Sequence, residues 1–283
     1  MTKKPDFPAT VGIVGLGVMG GSLARALKAR PDPPRIRAAA RDPDDLRRAE
    51  REGVVDEVCH RIASAVEGCD LVVYATPLRA TLELLRTHRE VWSPGTAVTD
   101  VVSLKGPVME AVEALGIGER FVGGHPMVGS ERSGFQGARR ELYDGGRVWL
   151  VRGTAGARVA GRVEVFWRGV GADPAWIQAG DHDLGMAWCS HLPQLLSNAL
   201  AGALDVAGFP PAALGPGGRD MVRLAGSSPA IWRELLEVSA PTVGPALRSV
   251  SRGVEVLAGL LEAGDLDGVI RFMERTRAWR GEG

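Results

Sequence analysis

Lysine is nearly missing from this chain, cysteine is scarce, the net charge is zero and no long apolar run occurs. Lysine is found only at Lys3, Lys4, Lys28 and Lys105 of 283 residues, so arginine supplies almost all the positive charge and a lone arginine carries little information. The 34 basic residues are matched by 34 acidic ones, so nothing in the charge balance points to a nucleic-acid partner and a small molecule is the expected ligand. Cys59, Cys69 and Cys189 are odd in number and lack a Cys-x-x-Cys spacing, arguing against a disulfide framework or a zinc site. None of the five histidines has ligand spacing, and no metal is expected. No stretch of about 18 apolar residues exists to cross a membrane. Residues 1–10 are polar with two prolines, unlike the charged-then-apolar layout of a secretory leader, so a cytoplasmic protein is expected.

What is present is 45% hydrophobic residues in a chain long enough for two cores. Short apolar runs at 11–14, 36–40, 71–75, 97–101, 121–123 and 148–151 alternate with helical stretches around Leu46, Leu82, Val108 and Ala138. This alternation predicts parallel strands joined by crossover helices, an α/β chain whose residues 10–178 form a Rossmann-type, doubly wound sheet. After residue 178 the strand signal stops. Helical stretches punctuated at 208–211, 215–218, Pro229, Pro241 and Gly264 predict an all-helical second domain over 179–283. Its longest helix should cover 181–206, with Asp181 as N-cap and a kink at Pro193, which has no N–H to donate.

Gly15, Gly17 and Gly20 set a Gly-x-Gly-x-x-Gly turn between the first strand and a helix. In that context the glycines allow a tight turn, a close approach to a pyrophosphate, and close packing of helix on strand. Gly15, Leu16, Gly17, Val18, Met19 and Gly20 are therefore expected to bind a dinucleotide; the alternative is a purely structural turn. An acidic residue at the end of the second strand would hold the ribose of NAD. Ala40 stands there, followed by Arg41, which favours the 2′-phosphate of NADP. Sliding the alignment by two residues would give the acid's job to Asp42 and restore NAD. Thr76 and Pro77 end a strand on the same edge and should lie near the nicotinamide half.

The most distinctive segment is Gly124-His125-Pro126-Met127-Val128-Gly129-Ser130-Glu131, a histidine among glycines and small polar residues directly after a strand. An imidazole there is placed to accept a proton. Together with the Gly15–Gly20 turn and Ser190-His191-Leu192-Pro193-Gln194, this segment resembles the prephenate and arogenate dehydrogenases of tyrosine biosynthesis, from about residue 11 to about residue 279. The resemblance implies that His125 is the catalytic base, oriented by a hydrogen bond from Ser103. It also implies that Arg223 clamps a substrate carboxylate, with His191, Gln194, Ser130 and Trp232 around the substrate. Relatives that prefer prephenate carry histidine where this chain has Gln194. That neutral amide could accept from the ammonium of arogenate and still donate to the ketone of prephenate. A homodimer through the helical domain is implied as well. The beta-hydroxyacid dehydrogenases share the glycine turn and a helical second domain, but they use a late lysine and this chain has none after Lys105. A dinucleotide-binding regulator without chemistry is a further alternative; Ser103, His125 and Arg223 together speak against it.

Overall fold

The computed structural model describes residues 7–130 and 132–281, without the side chains of residues 230 and 231. The first six residues of the leader reading and Glu131 of the histidine segment lie outside it. Eight strands form one sheet: β1 (Thr10–Val14), β2 (Arg35–Ala39), β3 (Glu57–Val58), β4 (Leu71–Tyr74), β5 (Ala97–Asp100), β6 (Phe121–Pro126), β7 (Arg147–Val151) and β8 (Asp173–Trp176). Their order is β3-β2-β1-β4-β5-β6-β7-β8. The chain starts at β1, steps outward to β2 and β3, then returns to β4 on the other side of β1. That reversal opens a crevice beyond the carboxyl ends of β1 and β4.

Burial on both faces explains why the central strands read as unbroken apolar runs. Val11, Ile13, Leu71 and Val73 point to one face, where Leu23 and Leu27 of α1 (Val18–Lys28) and Val163, Phe166 and Trp167 of α6 (Ala157–Gly169) cover them. Val14, Val72, Tyr74 and Val98 point to the other, under Leu78 and Leu85 of α4 (Leu78–His88) and Val108 and Val112 of α5 (Gly106–Ala114). Between these helices lie α2 (Pro43–Arg51) and the short α3 (Ile62–Val66).

The sheet departs from the expectation at its margins. β3 is two residues long and β8 is an edge strand holding Pro174 and a half-exposed Trp176, so neither makes an apolar run. β7 runs antiparallel to β6, whereas the other pairs are parallel. The helix expected around Ala138 is replaced by two 3₁₀ turns, Phe135–Gly137 and Arg140–Tyr143. Their aromatic residues are buried under α1, where the Tyr143 hydroxyl donates to the Met19 carbonyl at 2.9 Å. With no helix to carry the chain back across the sheet, β7 returns in the opposite direction.

The chain divides into two compact units. The first runs to Leu184 and takes in Pro229–Leu235; the second consists of Gly185–Ser228 and the chain from Leu236 onward. The boundary therefore falls six residues later than the expected 178/179, because the start of α7 (Ala179–Met186) is hydrogen-bonded into the first unit through Asp183 and His182. The expected single helix over 181–206 comes in three pieces: α7, a five-residue π turn at Ala187–His191, and α8 (Leu192–Val206). The wider turn sits directly before Pro193, which cannot bond back to Cys189. Asp181 lies in the first turn of α7 instead of capping it. The remaining helices are α9 (Pro216–Val222), α10 (Pro229–Glu262) and α11 (Leu266–Arg280). Pro241 and Pro245 lie inside α10, so the break expected at Pro241 does not occur. Cys59, Cys69 and Cys189 are free thiols. Among the described residues no helix is long and apolar enough to cross a membrane.

Candidate active site

The crevice at the ends of β1 and β4 is a cavity of about 780 Å³ lined by Gly15, Leu16, Gly17, Ala40, Arg41, Asp42, Thr76 and Pro77, among others. Its three glycines have different reasons to be glycine. Gly15 has φ +99°, and a Cβ there would lie 2.4 Å from the Ala75 carbonyl oxygen; a Cβ on Gly20 would lie 1.8 Å from that of Gly15. Those two close the turn and seat α1. A Cβ on Gly17 would meet nothing within 4 Å, so the fold leaves this position open toward the cavity. The first turn of α1 contains no acidic residue, so its N–H groups and dipole are available to a pyrophosphate. These features fit a dinucleotide. Val18, Met19 and Gly20 are not among the lining residues, because α1 turns them toward the sheet and the 135–143 segment. Beyond the end of β2, Arg41 is exposed on the cavity, while the Asp42 carboxylate caps α2 by accepting from the Asp44 N–H at 2.8 Å. Thr76 is held by Thr81, with the two hydroxyl oxygens 2.8 Å apart, and Pro77 caps α4.

His125 is buried on β6 opposite Trp149. Its strand is positioned by an ion pair without solvent exposure: the Lys105 ammonium donates to the Asp100 carboxylate, and both side chains are 0% exposed. Lys105 also donates to the Gly124 carbonyl at 2.8 Å, and Asp100 accepts the Gly124 N–H at 2.9 Å and the Val102 N–H at 3.0 Å. Burial draws the Lys105 pKa down, with Asp100 opposing it. There is room for this only because residue 124 is glycine; a Cβ would lie 2.5 Å from the Asp100 carbonyl oxygen.

The orienting contact at Nδ1 of His125 comes from a residue that the sequence reading passed over. Nε2 of His182 lies 2.8 Å from Nδ1 of His125, and Nδ1 of His182 lies 2.6 Å from Oδ1 of Asp183. Asp183 also accepts from the N–H groups of Lys105 and Gly106, each at 2.8 Å, at the start of α5. Burial would raise its pKa, but the hydrogen bonds from His182, Lys105 and Gly106 outweigh burial and hold the carboxyl below the ordinary range. Ser103, expected to orient His125, lies half-buried on the loop after β5, and Nδ1 of His125 is engaged by His182. The signal available in the sequence was the His-Asp pair at the start of a helix.

Ser130 is exposed, its hydroxyl accepting from the Arg132 N–H at 3.1 Å. Trp232 belongs to the stretch of α10 that joins the first unit. The second unit holds His191, Gln194 and Arg223. His191 is buried in the π turn, and Arg223 is exposed at the start of a 3₁₀ turn, Arg223–Gly226. Helix α8 secures that turn twice: the Ala225 N–H donates to the Ser197 hydroxyl at 3.0 Å, and Nε2 of buried Gln194 donates to the Leu224 carbonyl at 2.7 Å. Nε2 of Gln194 also donates to Oδ1 of Asn198 at 2.8 Å.

A dinucleotide crevice at the switch point of the sheet, with a buried imidazole in the same unit, defines a nicotinamide-dependent oxidoreductase. The sequence profile of the prephenate dehydrogenase nucleotide-binding domain matches residues 23–174, and that of the prephenate dehydrogenase dimerization domain matches residues 178–275. The chain belongs to the prephenate dehydrogenase family. Prephenate dehydrogenase of Bacillus subtilis is 27% identical over 279 residues, covering 96% of this chain and 75% of the relative. The crystal structure of Aquifex aeolicus prephenate dehydrogenase with hydroxyphenyl propionate and NAD+ is 27% identical, with a TM-score of 0.86 and 96% of each chain covered. Synechocystis arogenate dehydrogenase is 26% identical, with a TM-score of 0.83, covering 96% of this chain and 98% of the other.

Replacing Lys105 by Met should cost about 3–5 kcal/mol of stability, because Asp100 is left as a buried charge with no counter-ion. The double variant Lys105→Met/Asp100→Asn should lose less, since it leaves no unpaired charge. Denaturant unfolding of both variants checks this; a double variant at least as unstable as Lys105→Met would show that charge pairing is not what holds β6.

Proposed function

We propose that this chain catalyses the oxidative decarboxylation of a cyclohexadienol, converting prephenate to 4-hydroxyphenylpyruvate and arogenate to tyrosine, with NADP as preferred oxidant. The observation that carries the reading is the buried His125 at the end of β6, in the same unit as a crevice suited to a dinucleotide. The bound dinucleotide supplies the acceptor for the hydride that leaves the hydroxyl-bearing ring carbon. His125 takes the hydroxyl proton as that carbon is oxidised. Loss of the ring carboxylate as carbon dioxide returns its bonding pair to the ring, and the phenolate oxygen recovers the proton from His125. Aromatisation provides the driving force, so the protein's task is placement. In this reading Arg223 grips a substrate carboxylate with its two-pronged guanidinium, and Ser103, Ser130, His191 and Trp232 border the substrate. A homodimer formed by the second unit accounts for Val254, Leu261, Ile270 and Met273, which are all more than half exposed. The reduced cysteines accord with a cytoplasmic enzyme.

Gln194 favours the amino substrate. The Leu224 carbonyl can only accept, so the amide nitrogen must face it, and that nitrogen also serves Asn198. With both N–H bonds committed, the amide can offer a ligand only its carbonyl oxygen. In this reading no N–H remains for the ketone of prephenate. An ammonium can donate to that oxygen and a keto group cannot.

Four measurements test the reading. His125→Ala should lower turnover by about 10²–10⁴-fold and leave dinucleotide affinity nearly unchanged, the range for a positioned general base; near-normal turnover in this variant would remove His125 from the mechanism. Arg41→Ala should weaken NADP binding by about 1–3 kcal/mol with little effect on NAD, whereas a wild-type preference for NAD in titrations would shift the role to Asp42. Gln194→His should move the ratio of catalytic efficiencies several-fold toward prephenate, as expected for one hydrogen bond of about 1 kcal/mol. An unchanged ratio would mean that Gln194 does not read the side chain. Light scattering of the purified chain should give the mass of a dimer, and Ile270→Asp should shift it to a monomer; a monomeric wild type would overturn the assignment.

A further inference from the structure

The hydrogen-bond chain behind His125 determines which of its nitrogens can act as the base. Asp183 is ionised and can only accept, and it takes three hydrogen bonds. The proton between Asp183 and His182 therefore resides on Nδ1 of His182. In the uncharged form of the His182 ring that proton leaves Nε2 bare, and Nε2 accepts from His125. The proton between the two rings consequently resides on Nδ1 of His125, leaving Nε2 of His125 with its lone pair. Each assignment forces the next, and the starting point is a carboxylate fixed in place by two backbone N–H groups of α5.

We propose that His182 is a positioning residue that, backed by Asp183, locks His125 in the Nδ1–H tautomer and presents Nε2 as the base. The inference rests on the reading of His125 as the general base and extends it to a residue with no role in that reading. During turnover the substrate hydroxyl forms an N–H bond at Nε2 as its O–H bond breaks, and His125 becomes a cation. The Nδ1 proton of His125 can shift toward Nε2 of His182, whose own Nδ1–H already points at the Asp183 carboxylate, so the charge spreads along the chain. No other reactant is consumed, and the proton returns by the same path when the phenol forms. Asp100 and Lys105 beneath the strand neutralise each other and leave Asp183 as the anion that this arrangement uses.

His182 is 0% and His125 9% exposed, so water has little access to these bonds. An unanchored imidazole would exchange tautomers and rotate, and only part of its population would face the substrate as a base. The geometry also explains why the residues just past the expected boundary stay with the first unit. One carboxylate closes the N-terminus of α5 and fixes the ring behind the catalytic histidine.

Two readouts test the proposal, and one needs no substrate. Long-range ¹H–¹⁵N spectra of the full chain labelled at its histidine rings should show both His125 and His182 protonated at Nδ1, with assignments taken from the His125→Ala and His182→Gln variants. His182→Gln offers an amide oxygen near the position of the lost Nε2, while His182→Met is of similar bulk and offers no acceptor. His182→Met should lower kcat on the order of 10-fold to 100-fold, less than loss of the base itself, with dinucleotide affinity and KM within about two-fold of wild type. His182→Gln should recover most of that loss. Wild-type spectra with His125 protonated at Nε2, or equal turnover in the Gln and Met variants, would overturn the proposal. A wild-type chain with the expected tautomers and no turnover of either cyclohexadienol would overturn the functional reading and leave the tautomer lock standing.

Discussion

Asp100 and Lys105 meet as ions sealed from water, and the strand that carries His125 hangs on them. Burying two such charges costs several kcal/mol per ion unless their remaining hydrogen-bonding capacity is used. Here the carboxylate takes the Lys105 ammonium and two backbone N–H groups, and the ammonium reaches a backbone carbonyl as well. Two of those backbone groups belong to Gly124, the residue before His125. The pair therefore specifies where the strand ends and where the imidazole begins, and it joins β5, α5 and β6 at one point. Lysine is nearly absent elsewhere, and this one is sealed from solvent, where it holds the strand that carries His125.

The crevice is built by a different constraint. At the reversal of strand order the connections from β1 and β4 pass to opposite faces of the sheet, and the glycine turn brings bare backbone to the gap between them. Gly15 and Gly20 are required by contacts within the protein, whereas Gly17 faces empty space that the fold itself does not use. A motif that looks uniform in sequence thus divides into two structural glycines and one left clear for a ligand. Histidines divide in a similar way. His88 is buried with Nδ1 3.1 Å from the Tyr74 hydroxyl, which also accepts from Trp92, and it serves the core between β4 and α4. His125 and His182 form a chain that leads to a carboxylate instead.

Where the sequence reading missed, the cause was an interaction between residues far apart in the chain. His182 is 57 residues from His125, and no periodicity in a helix starting near residue 179 reveals which strand its first turn will meet. The antiparallel β7 escaped notice because Phe135 and Tyr143, spaced like helix residues, are instead pulled under α1 in 3₁₀ turns. Pro241 is a helix-stop signal in the sequence, but α10 continues through it, since tertiary packing can outweigh the loss of one intrahelical bond. Gln194 stands out in the sequence, yet which end of its amide is committed depends on Leu224, 30 residues away.

Local pattern is enough to specify the apolar runs alternating with helices, the glycine turn after the first strand, the histidine segment after the 121–123 run, and a stretch beyond residue 178 without strands. Those signals are local because strand burial, turn geometry and helix periodicity are set by residues only a few positions apart. Tertiary structure alone decided the polar arrangement. Which carboxylate pairs with Lys105, which ring anchors His125 and which atom of Gln194 is committed are all settled by burial, where a donor or acceptor must find a partner wherever the fold supplies one. That requirement acts across space, so neighbouring residues in the chain carry little record of it.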